Sequence, residues 1–336
     1  MATANQAVTE QSAAEAKTAD GYRALRSGVA MRLAPERMMV RMSGDDRVTF
    51  LQGMCTNDVA KLAPGALMRA LILTEHAHVV ADFYAWAESD AILIEIDRSL
   101  WPEARAQLER FLVADDVELE EMDAISFLDV MGPCAADAVA VLAGDAARSL
   151  PSWRALSAGE LRVGHAPRLG LDSFTLVAER DPIAVASARL KASITGLAEL
   201  SDVELETVRV ENGVARVGVD TTEKTLALEA RLTDAIAPNK GCYLGQETIE
   251  RATARGAIKR RLCGLRIGTE RLPATGTGVS ASGKEVGRLT SVAVSPRLGV
   301  LGLAILHQSV WTPGTEVTLS DDAGELKALV SDLPFN

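Results

Sequence analysis

An α+β protein that ends in a small antiparallel β-barrel is what this sequence predicts, and three observations carry that reading. Between Arg37 and Ser193, strand-like and helix-like segments mix without the regular alternation of a doubly wound parallel sheet. From about Arg261 onward the texture changes to short β-rich segments, RLCGLRIG, KEVGRLTSVAVS and GVLGLAIL, punctuated by Gly, Pro and Ser. A chain of 336 residues, 48% hydrophobic and 24% charged, is long and apolar enough for two or three packed domains.

The elements follow in order. Residues 1–20 are rich in Ala, Thr, Gln and Ser and carry Glu10, Glu15 and Asp20 against a single lysine, so they read as a mobile tail and as no signal or transit peptide. RMMVRMSGDD reads as a strand running into a turn. DRVTFLQGMCTNDVAKL then places Val48, Phe50, Leu51 and Met54 on one face of a short helix, with Asp45 or Asp46 at its N-cap. ALMRALILTEHAHVVADFYAWA reads as a two-stranded hairpin and AILIEIDR as another strand. In LWPEARAQLERFLVADD a proline in the first turn precedes apolar residues at helical spacing, which predicts a helix. A strand (ISFLDVMG), a helix over Pro133–Leu142, the strands LRVGHAPRL and SFTLVAER, and a helix through DPIAVASARLKAS complete the series. GTGVSASG is glycine-rich, but strand-like sequence follows it and not a helix able to hold phosphate, so it reads as a hairpin loop.

Charge and cysteine usage exclude some functions. The formal net charge of −11 disfavours steering of the whole molecule toward nucleic acid or an anionic membrane, leaving only local basic patches. The longest apolar runs are broken by charges within about ten residues, short of the roughly 18 to 20 a spanning helix needs. Cys55, Cys134, Cys242 and Cys263 lie far apart with no CxxC pair, which fits neither a disulfide framework nor zinc spacing. The expectation is a cytoplasmic protein with free thiols, engaging neither membrane nor nucleic acid directly. His76 and His78 share one face of a predicted strand without a third ligand, so no metal is assigned. Cys55 and Cys134 sit among small or apolar residues and read as core; Cys263 falls in a strand.

The segment with the most chemical content is KGCYLGQE, Lys240 to Glu247, followed by the basic run RATARGAIKRR. Glycines at 241 and 245 permit positive φ and a tight turn that presents Cys242 and Tyr243. Lys240, Arg251, Arg255, Lys259, Arg260 and Arg261 lie nearby in sequence and would favour a thiolate, suited to a nucleophile, a metal ligand or a redox-sensitive group. Equally, a cysteine on a glycine-flanked turn reads as a small hydrophobe in an ordinary turn. Gln246 and Glu247 are placed to fix the turn by capping backbone N–H groups.

KGCYLGQE with ARGAIKRRL closely resembles the signature of YgfZ-type folate-binding proteins, a branch of the aminomethyltransferase (glycine-cleavage T-protein) superfamily that includes mitochondrial iron-sulfur assembly homologues. FLQGMCTNDV, LILTEHAHVVADF, VMGPCAADAVAVL, VRVENGVARVGVD and GRLTSVAVSPRLGVLGLAIL extend the resemblance over roughly residues 35 to 330. It implies two interleaved ferredoxin-like lobes over 21–255, a β-barrel over 256–336, and a ring that binds tetrahydrofolate, with a polyglutamate tail neutralised by the basic segment. Through Arg209-Val210-Glu211-Asn212-Gly213 it implies a pterin contact at Glu211, with Arg209, Asp82, Tyr243 and Arg255 also on the cofactor, and Asn57 and Asp58 either bordering the opening or serving a turn. Where T-proteins carry a paired acidic stretch on the second early strand, this chain has Ala81-Asp82. Where they have an acidic residue and phenylalanine after the motif lysine, it has Cys242-Tyr243. Ala227 stands where a proline is common.

These departures favour a tetrahydrofolate-binding accessory factor for assembly or repair of [4Fe-4S] clusters, affecting tRNA modification indirectly, with assembly proteins or client enzymes as partners. Cys242 would be the thiolate ligand or nucleophile and Lys240 its tuning group. The alternative is an enzyme, an aminomethyltransferase or a demethylase-like relative using tetrahydrofolate as acceptor. A direct RNA-binding module, suggested by RATARGAIKRR, is opposed by overall acidity and few aromatics.

Overall fold

The computed structural model describes residues 20–255, 258–269, 271–321 and 324–336, without the side chains of 254 and 255. The segment read as a mobile tail lies outside the described residues apart from Asp20. The chain forms two compact units that interleave in sequence: residues up to Pro35 with Ala124–Val208, and Glu36–Asp123 with Arg209–Asn336.

The first unit holds helix α1 (20–27) and a six-stranded sheet. Its strands are β1 (Ala30–Leu33), β7 (Ile125–Met131), β8 (Arg154–Ala158), β9 (Leu161–His165), β10 (Ser173–Glu179) and β11 (Ala198–Glu199), in the order β11-β1-β7-β10-β9-β8. All neighbours are antiparallel except β1 and β11. Helices α4 (Ala135–Ala143) and α6 (Arg180–Ser193) cover one face, α6 through Ile183, Ala186 and Leu190 at helical spacing. The short helix α5 (Asp145–Arg148) and most of α7 (Asp202–Glu211) complete the unit. Cys134, expected in the core, is exposed, because it stands at the N-cap of α4, one residue before the helix turns inward.

The second unit joins a five-stranded sheet to the barrel. Strands β2 (Arg37–Ser43), β3 (Leu67–Leu73), β4 (Val79–Ala87), β5 (Ile92–Asp97) and β6 (Glu118–Glu121) order as β3-β4-β5-β2-β6. Helices α2 (Arg47–Met54) and α3 (Trp101–Phe111) cover one face with Phe50, Leu51, Met54, Trp101, Ala104 and Leu108. The Phe, Leu and Met side chains among them contribute about 1.5–3 kcal/mol each when fully buried. Asp46 is the N-cap of α2, but its carboxylate accepts from the Asp116 N–H at 2.8 Å and does not cap the helix. Val48 lies at the solvent edge. His76 falls in the hairpin turn and His78 in an isolated bridge ahead of β4, so the two do not share a strand.

Period-two alternation explains why β3 is buried throughout. Met68, Ala70 and Ile72 face the two helices, while Leu71 and Leu73 face a second cluster with Leu262, Ala293, Leu301 and Leu303 of the barrel. That barrel closes in the order β12-β15-β14-β13-β16-β17, from β12 (Arg260–Ile267), β13 (Gly278–Ala281), β14 (Lys284–Ser295), β15 (Gly299–His307), β16 (Glu316–Asp321) and β17 (Gly324–Ser331). GTGVSASG is the β13 arm of a hairpin with β14, and Cys263 sits buried in β12. Helix α8 (Gln246–Arg255) precedes the barrel.

Arg209, in the last turn of α7, is fully buried in this unit. Its Nη1 donates to Asp220 Oδ2 and to the Val214 carbonyl, both at 2.6 Å, and its Nη2 to Ser291 Oγ on β14. Asp220 Oδ1 also accepts from Ser291 Oγ at 2.7 Å. Arg209→Met is expected to lose about 3–5 kcal/mol by stranding the Asp220 charge, and adding Asp220→Leu should recover much of that. Urea denaturation of both variants checks this.

Candidate functional site

The turn that carries Cys242 is built by the end of α2. Lys240 is 8% exposed, and its Nζ donates to the carbonyls of Gln52 and Cys55. Those carbonyls belong to the C-terminal end of α2, where unpaired acceptors and the helix dipole favour a cation. Gln52 returns the contact: its Nε2 donates to the Lys240 carbonyl at 2.7 Å and to Asp58 Oδ1 at 3.1 Å. Leu244 N–H donates to the Gly53 carbonyl at 3.0 Å, and Ala237 N–H to the Thr56 carbonyl at 3.0 Å. Both shoulders of the turn are therefore tied to residues 52–56.

Two glycines make the path possible. Gly241 has φ of +91° and Gly245 +85°, and a Cβ at 245 would stand 2.8 Å from the Thr74 carbonyl oxygen. Gln246 closes the loop by accepting the Tyr243 N–H at 3.2 Å, while Glu247 pairs with Arg251. Cys242 is exposed between them.

Lys240, expected to tune Cys242, forms no hydrogen bond with it. Its ammonium is held by the two carbonyls, lies 4.9 Å from the Tyr243 ring centre, and faces the buried thiol of Cys55. Burial lowers its pKa, with Cys55 and Asp58 pulling it back up. Burial in turn pushes the Cys55 thiol up against the influence of Lys240. Burial, then Glu250 and Cys55, pushes Tyr243 up to about 12.

A second cluster lies on the β3–β4 hairpin. Arg69 and Asp82 project from the same face, Asp82 opposite Leu71 and diagonal to Arg69. Arg69 Nη2 and Nε donate to Asp82 Oδ2 at 2.6 and 3.2 Å, and Nη1 donates to Asp234 Oδ2 at 3.1 Å. Burial works against the guanidinium, but Asp82, Tyr84 and Asp234 hold its pKa above the ordinary arginine value. Asp234 arrives there because Thr56 Oγ1 bridges the sheet and the 233–235 turn, accepting from Leu71 N–H and donating to the Ala235 carbonyl. Asn57 donates to the Arg69 carbonyl and accepts from the Asp58 N–H, a turn role. Among the described residues, neither Asp82 Oδ1 nor Asp234 Oδ1 has a hydrogen-bond partner, so the clamp presents two carboxylate oxygens as acceptors.

Glu211 and Arg209 occupy positions different from those expected. Glu211 is 1% exposed, its Oε1 accepts from Ser295 Oγ, and its carbonyl accepts from Phe335 N–H. It is thus neither a surface ion-pair residue nor an open pterin contact, and Arg209 is spent on Asp220 and Ser291. The side chain of Arg255 lies outside the described residues. The basic run is not one continuous patch: Arg251 pairs with Glu247, Arg260 lies 3.8 Å from Glu229, and Arg261 covers the Trp311 ring. Sequence reading missed Arg69, Thr56 and Asp234; a charged Arg69 inside the apolar run LMRALIL was the available signal.

Lys240 gives a signed pH dependence. Its folded pKa lies below its unfolded value, so the unfolded chain binds more protons between the two, and its contribution rises with pH, reaching full size above 10.5. Stability of the native chain minus that of Lys240→Met should therefore rise from neutral pH toward pH 10.5. Urea midpoints across that range read it, and a difference that falls would refute it. At neutral pH Lys240→Met should cost about 1–3 kcal/mol through two unpaired buried carbonyls.

Residues 2–175 match the GCVT N-terminal domain, and residues 260–336 match the glycine cleavage T-protein C-terminal barrel domain. The chain is 30% identical to an aminomethyltransferase of Geobacillus thermodenitrificans, over 87% of this chain and 82% of the relative. It is 28% identical to one of Bacillus pumilus, over 88% and 84%. A crystal structure of the glycine cleavage system aminomethyltransferase T of Bartonella henselae shares the fold, with a TM-score of 0.85 at 19% identity, covering 95% of this chain and 89% of that one. The α+β architecture with its closed six-stranded barrel and the match to both domains have one reading: the chain belongs to the glycine-cleavage T-protein (aminomethyltransferase) family.

Proposed function

We propose that this chain is a tetrahydrofolate-binding accessory factor of the YgfZ type, which assists assembly or repair of [4Fe-4S] clusters in the cytoplasm. The observation that carries the reading is the exposed Cys242 thiol at the tip of a turn whose shoulders are bound to the end of α2. A thiol held in place yet open to solvent suits a ligand or nucleophile offered to a partner protein. One thiolate supplies a single ligand, so the remaining ligands of any cluster come from an assembly protein or client enzyme.

The reduced folate would be held at the Arg69 clamp. The pterin ring offers N–H donors along one edge, and Asp82 Oδ1 and Asp234 Oδ1 are acceptors fixed by one guanidinium. This acceptor pair fits better than Glu211, which is closed over Ser295. Tetrahydrofolate supplies a one-carbon acceptor or a reductant when bound. The chain's own residues orient its ring through carboxylates and present the thiol from the neighbouring turn.

The second reading, transfer of an aminomethyl group to tetrahydrofolate, is favoured by the relatives that carry that name and by the retained Asp82. Against it, Ala81 removes half of the acidic pair, and Asp82 Oδ2 already accepts twice from Arg69, so proton uptake there breaks an ion pair. The two readings separate in cells lacking this chain and complemented with native protein, Cys242→Ala or Asp82→Asn. Activity of a [4Fe-4S] enzyme under oxidative stress should return with native protein and not with Cys242→Ala. Tetrahydrofolate affinity, measured by calorimetry on the purified proteins, should be unchanged by Cys242→Ala and drop roughly tenfold with Asp82→Asn. Aminomethyl turnover that survives Cys242→Ala and vanishes with Asp82→Asn would displace the first reading.

A further inference from the structure

A cleft beside the barrel is used by neither the Cys242 turn nor the Arg69 clamp. It lies within the second unit, between the strands β12, β15 and β14 and the segment 219–229, and its volume of about 760 Å³ is that of a small-molecule site. Strand register builds the barrel wall. On β15, Ile305 and His307 share a face, with Arg260 of β12 opposite His307 and Arg288 of β14 opposite Ile305. Directly opposed residues have Cβ atoms about 4.5–5.5 Å apart, so two arginines flank one apolar and imidazole strip. Both side chains are 64% exposed. Hydrogen bonds fix the facing wall: the Thr225 carbonyl accepts from Val79 N–H of β4 at 3.0 Å, the Glu229 carbonyl from Leu262 N–H of β12 at 2.7 Å, and Thr225 Oγ1 from Thr222 N–H at 2.8 Å. That wall brings Leu226 and Lys224 to the cleft, and Lys259 enters it just before β12.

The charges lining the cleft do not cancel. Of its three carboxylates, Asp220 is spent on Arg209 and Ser291, and Glu285 pairs with Arg288 at 3.0 Å. Glu229, whose Oε2 accepts from Leu226 N–H at 3.1 Å, lies 3.8 Å from Arg260. Lys224 and Lys259 are exposed, and their ammonium groups have no hydrogen-bond or ion-pair partner among the described residues. Two positive charges are thus left over in a chain of net charge −11, and Val219, Leu226, Val286 and Ile305 line the same space with apolar surface.

We propose that this cleft binds a small organic anion, an apolar body carrying one phosphate or carboxylate group, with Lys224 and Lys259 on the oxyanion and the apolar wall against the body. Either group offers acceptor oxygens only, which is what unpaired ammonium donors require, and covering exposed aliphatic side chains favours a ligand with an apolar part over a bare ion. The site stands apart from the folate reading, because none of its lining residues belongs to the 240–247 turn or to the clamp of Arg69, Asp82 and Asp234.

The test is titration calorimetry on the full chain with phenyl phosphate and with benzoate, against inorganic phosphate and benzyl alcohol, which each carry half of the chemistry. One or both of the aromatic anions should bind saturably with a Kd of about 1 mM or tighter, and each half-probe at least about tenfold more weakly. Binding of phenyl phosphate alone identifies a phosphate ligand, and binding of benzoate alone a carboxylate. The double variant Lys224→Gln, Lys259→Gln should weaken that binding about tenfold, and because both lysines are exposed and unpaired its Tm should stay at the wild-type value. Should the double variant melt early, Lys224→Gln alone decides, with an expected loss of about threefold. No saturable binding of either aromatic anion, a half-probe that binds as tightly as the aromatic anions, or an affinity unchanged by the lysine substitutions would each overturn the proposal.

Discussion

The second unit depends on one buried ion pair. Arg209 and Asp220 are both inaccessible, and between them they bind the last turn of α7, the loop through Val214 and Arg216, and the hydroxyls of Thr290 and Ser291 on β14. Two charges in an apolar interior gain little net stability, because desolvation offsets their attraction. Their effect is on specificity: with every donor and acceptor directed, other placements of the barrel on this loop would strand a charge. The cluster of Val210, Leu262, Ala293, Leu301 and Leu303 supplies the apolar driving force around that polar centre.

The Cys242 turn repeats this logic on a smaller scale. Lys240 looks like a surface lysine in sequence and is instead a C-terminal cap for a helix nearly two hundred residues earlier, exchanging hydrogen bonds with Gln52 in both directions. Buried lysine is expensive unless its protons are directed, and here two carbonyls and an aromatic ring receive them. What Lys240 gives the Cys242 thiol is position.

Local pattern and long-range pairing were not equally legible in the sequence. Strands such as AILIEIDR and helices such as WPEARAQLERF announce themselves through periodicity and the Pro102 start, and the change of texture near Arg261 marks the barrel. The turn at 240–247, its glycines and the Gln246 cap are also local and were readable. Glu211, Arg209 and Lys240 were not, because each is defined by partners 84, 82 and 188 positions away. Arg69 shows the limit well: one charge in LMRALIL is anomalous by sequence, but only the hairpin register and the Thr56 bridge disclose that Asp82 and Asp234 meet it.

The contrast between buried and exposed positions separates the parts of this fold that resist substitution from those that tolerate it. The groups that hold the second unit together, Arg209, Asp220, Ser291 and Thr56, are buried and satisfied, so changing any of them costs stability before it alters reactivity. Cys242, by contrast, is exposed at the tip of one turn. Substitution at an exposed turn tip removes no buried partner, so a thiol can be installed there at little cost to folding. On the hairpin the side chains of Ala81 and Asp82 point to opposite faces: Ala81 is buried among the residues under α2 and α3, while Asp82, with Asp234 from another segment, neutralises Arg69. Change is therefore tolerated at the turn tip, while the buried ion pairs and hydrogen bonds keep the geometry in which Cys242 is presented.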